Sequence, residues 1–191
     1  MTYPELSYYQ QTFSRISVKD ETISTKEFED CSFEACTFGN CTFDKVKFIN
    51  CTFNECFLSV IRSSGSRFLE VKFTRSKVLG FNWSKTDAIR DLSFNECQLN
   101  YSDFSYMKIP GIKLLACEAK EVDFTEADLT NSDLQNTDFQ NSRFYNTNLS
   151  GADFRGARNF YIDVKNNVLK KARFSFAEAM TLLSSLDIII E

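Results

Sequence analysis

Ala127-Asp128-Leu129-Thr130-Asn131-Ser132-Asp133-Leu134-Gln135-Asn136 is one five-residue pattern written twice. An apolar residue holds the centre of each unit, a small residue lies two before it and a short polar residue just before it. Outward from Leu129 and Leu134, the beat runs back through Phe124, Ala119, Leu114, Ile109, Phe104, Leu99 and Phe94. It runs forward through Phe139, Phe144, Leu149 and Phe154. One residue out of step, it continues toward the N-terminus as Trp83, Val78, Phe73, Phe68, Ser63, Leu58, Phe53, Phe48, Phe43, Phe38, Phe33 and Phe28. Only Ser63 among these centres is polar. A helix repeats every 3.6 residues and a strand every 2, so a period of five is neither. Self-similarity sustained over so many units marks a solenoid.

The chain of 191 residues is 43% hydrophobic, enough for one well-buried domain. It has no apolar run long enough for a transmembrane helix, and its start lacks the basic and apolar segments of a signal peptide. A cytoplasmic location is expected. Seven cysteines are an odd number for a disulfide framework. Cys31, Cys36, Cys41, Cys51, Cys56, Cys97 and Cys117 each lie two residues before a centre, the slot that later holds Ala127, Ser132, Thr137, Ser142, Thr147 and Ala152. Free cysteine packs as a small hydrophobe, so core packing is expected there. A zinc site needs converging ligands, which steps of five around a four-sided coil do not supply.

These units, with their small–Asp/Asn–Leu/Phe order, resemble the pentapeptide-repeat proteins closely over residues 28–157 and loosely back through Ile23, Val18 and Phe13. The resemblance implies an all-β solenoid: a right-handed quadrilateral β-helix, four units per coil, closed by a C-terminal α-helix and short strand. Centres and small residues would point inward and residues 20 apart would stack at strand spacing. Phe33, Phe53 and Phe73 would form one column, and Phe104, Phe124 and Phe144 another. Three regions are expected: an N-terminal cap at 1–12, the β-helix at 13–157 with a one-residue register slip within 84–93, and a C-terminal cap and dimerisation segment at 158–191. At Ser63 a loosened corner is expected, with a partner-contact patch as the alternative.

Beyond the coils, Ser175-Phe176-Ala177-Glu178 fits a capping box, and Phe176, Ala179, Met180, Leu183 and Leu186 follow at helical spacing. Asp187-Ile188-Ile189-Ile190-Glu191 reads as a short apolar strand. In the Qnr/MfpA branch of the family such a segment joins two rods. A homodimer is therefore expected through Phe174, Phe176, Met180, Leu183, Leu186, Ile188 and Ile190, with packing back onto the last coil as the alternative.

The chain has no histidine, no Gly-rich phosphate loop and no metal-ligand motif, so no enzymatic role and no cofactor are expected. Charge is uneven. Residues 118–154 hold Glu118, Glu121, Asp123, Glu126, Asp128, Asp133, Asp138 and Asp153 against Lys120 and Arg143, within a chain of formal net charge −4. Such a field attracts basic grooves and disfavours nucleic acid. The resemblance to the Qnr/MfpA branch implies a DNA mimic that enters the DNA-binding groove of DNA gyrase or topoisomerase IV and modulates its activity or quinolone sensitivity. Glu118, Asp123, Asp128, Asp133, Asp138 and Asp153 are the candidate acidic contacts. The alternative is an interaction scaffold with no topoisomerase role, in which the acids are there for the turns.

Overall fold

The computed structural model describes residues 5–186 and residue 188. Each five-residue unit forms one side of a square coil. Strands three residues long, such as Ser32–Glu34, Thr52–Asn54 and Lys72–Thr74, pair in parallel with the strand one coil away, so that Phe33, Phe53 and Phe73 lie in register. The walls contain sheets of five, six, four and two strands, with no crossover within a coil. Toward the C-terminus the rungs persist as single bridges, among them Glu118 to Asp138, Asp133 to Asp153 and Asp153 to Arg173. Rungs therefore occur on both sides of the 13–157 segment, since Ser7–Tyr9 already pairs with Glu27–Glu29.

Two inward positions per unit build the core. Centres from Phe28 to Phe154 are almost all fully buried, and rings of successive coils stack with centroids 4.5 Å apart for Phe33 and Phe53 and 5.5 Å apart for Phe104 and Phe124. Burying each ring is worth about 1.5–3 kcal/mol, and offset stacking adds to that. All seven cysteines are free and buried in the second inward slot. There the thiols hydrogen-bond main-chain carbonyls, as Cys51 does to Phe28 O at 3.3 Å. Ser66 and Thr137 make the same bond from the same slot, to Phe43 O at 2.8 Å and Leu114 O at 2.6 Å. The slot thus wants a small side chain able to reach an otherwise unpaired carbonyl. Among the described residues no three Cys, Asp or Glu side chains converge as a metal site would require.

Corners turn through the left-handed region at the second residue after each centre, for example Asn131 (φ 57°), Asn136 (φ 59°) and Gly151 (φ 70°). Asn and Gly tolerate this conformation best, which explains their recurrence at the end of each unit.

The slip is where the sequence places it. Pairing is 20 residues apart below it, and 21 across it: Lys72 with Ser93, Lys77 with Gln98, Asn82 with Asp103. The added residue is absorbed by a 3-10 turn at Trp83–Lys85, which the Thr86 hydroxyl closes by donating to Trp83 O at 2.7 Å. Ser63 is buried, and its hydroxyl donates to Asn82 O at 3.3 Å, one coil away. Below the fully buried indole of Trp83, itself stacked on Phe81 at 3.8 Å, a small centre leaves room that a phenylalanine would take. Ser63 is therefore a packing residue and not part of an exposed patch.

At the C-terminal end an α-helix spans Phe176–Leu182 and continues as a 3-10 turn through Leu183–Leu186. The expected capping box is not formed. Ser175 has the extended N-cap conformation, yet its hydroxyl makes no cap bond and instead accepts from the Gly156 N–H at 3.4 Å. One oxygen of Glu178 is buried without a partner. The coil below competes for the serine, and the box is lost. The expected strand over 187–191 lies outside the described residues, apart from Ile188.

Candidate protein-interaction surface

The acidic candidates occupy the position just before the centre, where a short carboxylate can turn back on its own main chain. Asp123 accepts from Thr125 N–H at 2.8 Å and Asp128 from Thr130 N–H at 3.0 Å. Asp133, Asp138 and Asp153 likewise accept from the N–H groups of Gln135, Gln140 and Arg155. Each bond fixes a corner, an Asx-type turn repeated around the coil.

Register then sets what the surface looks like. Asp103 and Asp123 are neighbours on one wall, Glu118 and Asp138 on the next, and Asp133 and Asp153 on a third, while Asp128 lies on the fourth beside Lys108. The acids therefore surround the rod. Each of the first three columns ends on an arginine: Asp123 pairs with Arg143, Asp138 with Arg158 and Asp153 with Arg173. Accessibility divides the candidates. The Asp138 and Asp153 side chains are 9% and 11% exposed, whereas Asp123 is 36% exposed. Arg155 grips Asp153 at 2.6 Å and holds its carboxyl below the usual range, against the opposing effect of burial. Glu118 is held low chiefly by the Asn100 amide at 2.7 Å, with Lys120 assisting at 3.3 Å. Asp138 and Asp153 are thus bound within the fold, and of the six candidates Glu118, Asp123, Asp128 and Asp133 are the half-exposed ones.

The apolar candidates at the C-terminal end also divide. Phe174 is half-buried and stacks on Phe154 at 5.2 Å, so it acts as the last rung of the core. Phe176 is 84% exposed, with Met180 and Ile188 also exposed, while Leu183 and Leu186 are half-buried. Ile190 lies outside the described residues. Leu182, which helical spacing alone did not single out, is the helix residue that packs on the core. In the sequence Asn166-Asn167 reads only as a turn, but the Asn167 amide also occupies the inward slot and bonds Phe144 O at 3.1 Å and Thr147 N–H at 2.9 Å. Its place in the register, 20 residues after Thr147, was the available signal.

With stacked coils, a two-residue inward code and turn-forming acids in place, the class is defined: a pentapeptide-repeat β-solenoid. The chain belongs to the pentapeptide-repeat family. A pentapeptide repeat region is matched over residues 26–104 and pentapeptide repeats in eight copies over 123–158, together more than half of the chain. Among curated proteins no sequence matches. Among solved structures, trypsin-treated QnrB1, described as a plasmid-mediated fluoroquinolone resistance protein, superposes with a TM-score of 0.74 at 16% identity, covering 97% of this chain and 99% of that one. Full-length QnrB1 gives 0.66 at 16% identity, with 95% and 100% covered. HetL from the cyanobacterium Nostoc, described as involved in heterocyst differentiation regulation, gives 0.47 at 13% identity, with 89% and 90% covered. The likeness is one of fold. Among the described residues no helix is long and apolar enough to cross a membrane.

Proposed function

We propose that this protein is a non-catalytic, cytoplasmic interaction rod that enters the DNA-binding groove of a type II topoisomerase, DNA gyrase or topoisomerase IV, and modulates its activity or quinolone sensitivity. The observation that carries this is the set of half-exposed carboxylates repeated at the same place in successive units, Asp103 beside Asp123 on one wall and Glu118, Asp128 and Asp133 on the other three. Outward acids at regular intervals offer a basic groove the charge pattern it uses for DNA. The end-to-end likeness to a fluoroquinolone resistance protein is in keeping with it. The exposed Phe176, Met180 and Ile188 would join two rods at their C-terminal ends, doubling the acidic zone at the middle of a homodimer.

One specific observation favours a second reading, an interaction scaffold with no topoisomerase role: the acid columns end on Arg143, Arg158 and Arg173, which neutralise much of the field. A gyrase supercoiling assay, with and without a fluoroquinolone, separates the two. The topoisomerase reading expects altered supercoiling or drug sensitivity near stoichiometric protein. The triple variant Asp123→Asn, Asp128→Asn, Asp133→Asn should lose most of the effect. Asparagine keeps the turn, as Asn148 shows by accepting from Ser150 N–H at 3.2 Å from the same position. No effect at large molar excess would leave the scaffold.

A further inference from the structure

The extra residue that shifts the register also opens the wall of the tube. On the opposite wall, the step between the same two coils carries three main-chain hydrogen bonds: Leu99 N–H to Glu118 O (2.7 Å), Tyr101 N–H to Lys120 O (3.0 Å) and Glu118 N–H to Cys97 O (2.8 Å). The corresponding bonds from Ile89, Asp91 and Lys108 are not made, and among the described residues no bridge joins the strand Ala88–Arg90 to the coil that carries Lys108. Yet this wall is closed on both sides of the break. Arg67 pairs with Ala88 below it, and Lys108 with Asp128 above it. The result is a slit between two β edges whose N–H groups at Ile89, Asp91 and Lys108 have no main-chain partner among the described residues.

The slit is a cleft of about 570 Å³ lined by Lys85, Asp87, Ile89, Tyr106, Met107 and Lys108 among others. It adjoins a second, of about 160 Å³, that runs past Ile89 to Pro110 and Ile112. Ile89 and Met107 hold inward positions that are buried in the adjoining coils, at Phe68 and Ile109 and at Ser66 and Ala127, but here both are half-exposed and give the cleft an apolar floor. The rim is basic. Along the same corner, a depression lined by Lys45, Lys47, Gly65, Arg67 and Asp87 continues the cleft. Lys47 is paired with Glu27 and Arg67 with Asp87, which leaves Lys45, Lys85 and Lys108 without an ion-pair partner among the described residues.

We infer that this slit is a docking site for an extended acidic segment of a partner protein, added as a strand between the two coils. Strand addition uses the edge groups the fold leaves unpaired, and alternate side chains then face opposite ways. One set would rest on Ile89 and Met107, and the other would carry carboxylates to Lys85 and Lys108. A nucleic acid would suit the lysines but would leave the edge N–H groups and the apolar floor without counterparts. The site lies away from the acidic coils and is independent of the topoisomerase reading.

Trp83, the only tryptophan of the chain, directly precedes the cleft residues Ser84 and Lys85 and reports on the site. The probe is a capped peptide alternating glutamate and valine, titrated against the full-length protein by Trp83 emission and calorimetry. Saturable binding is expected, weakened at least tenfold in the variant Lys85→Glu, Lys108→Glu and by N-methylation of the peptide main chain. Both lysines are exposed, and an unchanged circular dichroism spectrum checks that the variant is folded. Absence of saturable binding at millimolar peptide would overturn the proposal. So would equal affinity in the folded variant, or a single-stranded oligonucleotide that binds the cleft when the peptide does not.

Discussion

At the scale of the residue, position in the five-residue unit decides what each side chain must do. Gly151 and Asn131 show how tight the requirement is. They occupy the same corner of adjacent coils, and a Cβ on Gly151 would collide with the Asn131 side-chain oxygen, at a φ of +70° that already disfavours any L side chain. Gly151→Ala should therefore destabilise the protein by about 1–3 kcal/mol. Asn131→Gly in the same chain should restore the part due to the collision but not the part due to the backbone, a split that a double-mutant cycle by denaturant unfolding would measure. Asp153 is a second case. Arg155 beside it depresses its folded pKa, so its contribution to stability is complete above the ordinary carboxylate value of about 4 and is lost as the pH falls through the lowered one. Glu118 acts in the same direction. The thermal midpoint should fall on acidification below about pH 4, and it should fall less in Asp153→Asn. An equal fall in the variant would remove Asp153 from the account.

At the scale of the element, the small-residue slot makes the coil. Cys56 bonds Phe33 O at 3.3 Å in the way Ser76 bonds Phe53 O at 3.1 Å. Cys56→Ser should thus change stability little, whereas Cys56→Leu should overpack the slot at a cost of about 1–3 kcal/mol. The thiols should be silent to a disulfide reagent in the native protein and should all react on unfolding. Burial pushes the Cys51 thiol up to about 12, and Cys56 sits high because the neighbouring Cys36 sulfur and its own burial both disfavour a thiolate there. Rapid native-state labelling of Cys51 or Cys56 would contradict the inward slot. This layer was legible in the sequence because the code is strictly local: a residue's place in its unit fixes whether it faces core or water. The C-terminal cap was less legible. Ser175 and Glu178 carry the capping-box letters, but whether the serine bonds its own helix or Gly156 depends on a coil 19 residues earlier. Leu182 was missed for a similar reason, since helical spacing identifies an apolar stripe without saying which part of it the last coil covers.

At the scale of the whole molecule, the register determines both the tube and what its walls present. The slip was visible as 11 residues between Trp83 and Phe94, yet its consequence was not. All four walls absorb the extra residue at a separation of 21, Arg67 with Ala88 among them, and the wall that follows the 3-10 turn at Trp83–Lys85 then lacks its next rung, between Ala88 and Lys108, among the described residues. The acidic surface was legible as composition and only partly as geometry. Spacing by five predicts acids spread around the rod, as found. It does not show that Arg155 and Arg158 fold back over Asp153 and Asp138 and take two of the six candidates out of reach.

All of these conclusions depend on which residues stack. The most direct test is a backbone NOE map of the isotope-labelled protein, read along one wall. Contacts are predicted between Phe33 and Phe53 and between Phe53 and Phe73 at a separation of 20, between Phe73 and Phe94 at 21, and again at 20 from Phe94 to Leu114. On the wall that opens, cross-coil contacts should be missing between Ile89 and Ile109 while Phe68 still meets Ile89. A constant separation of 20 throughout, or an unbroken ladder across Ile89, would contradict the tube described here together with its slit.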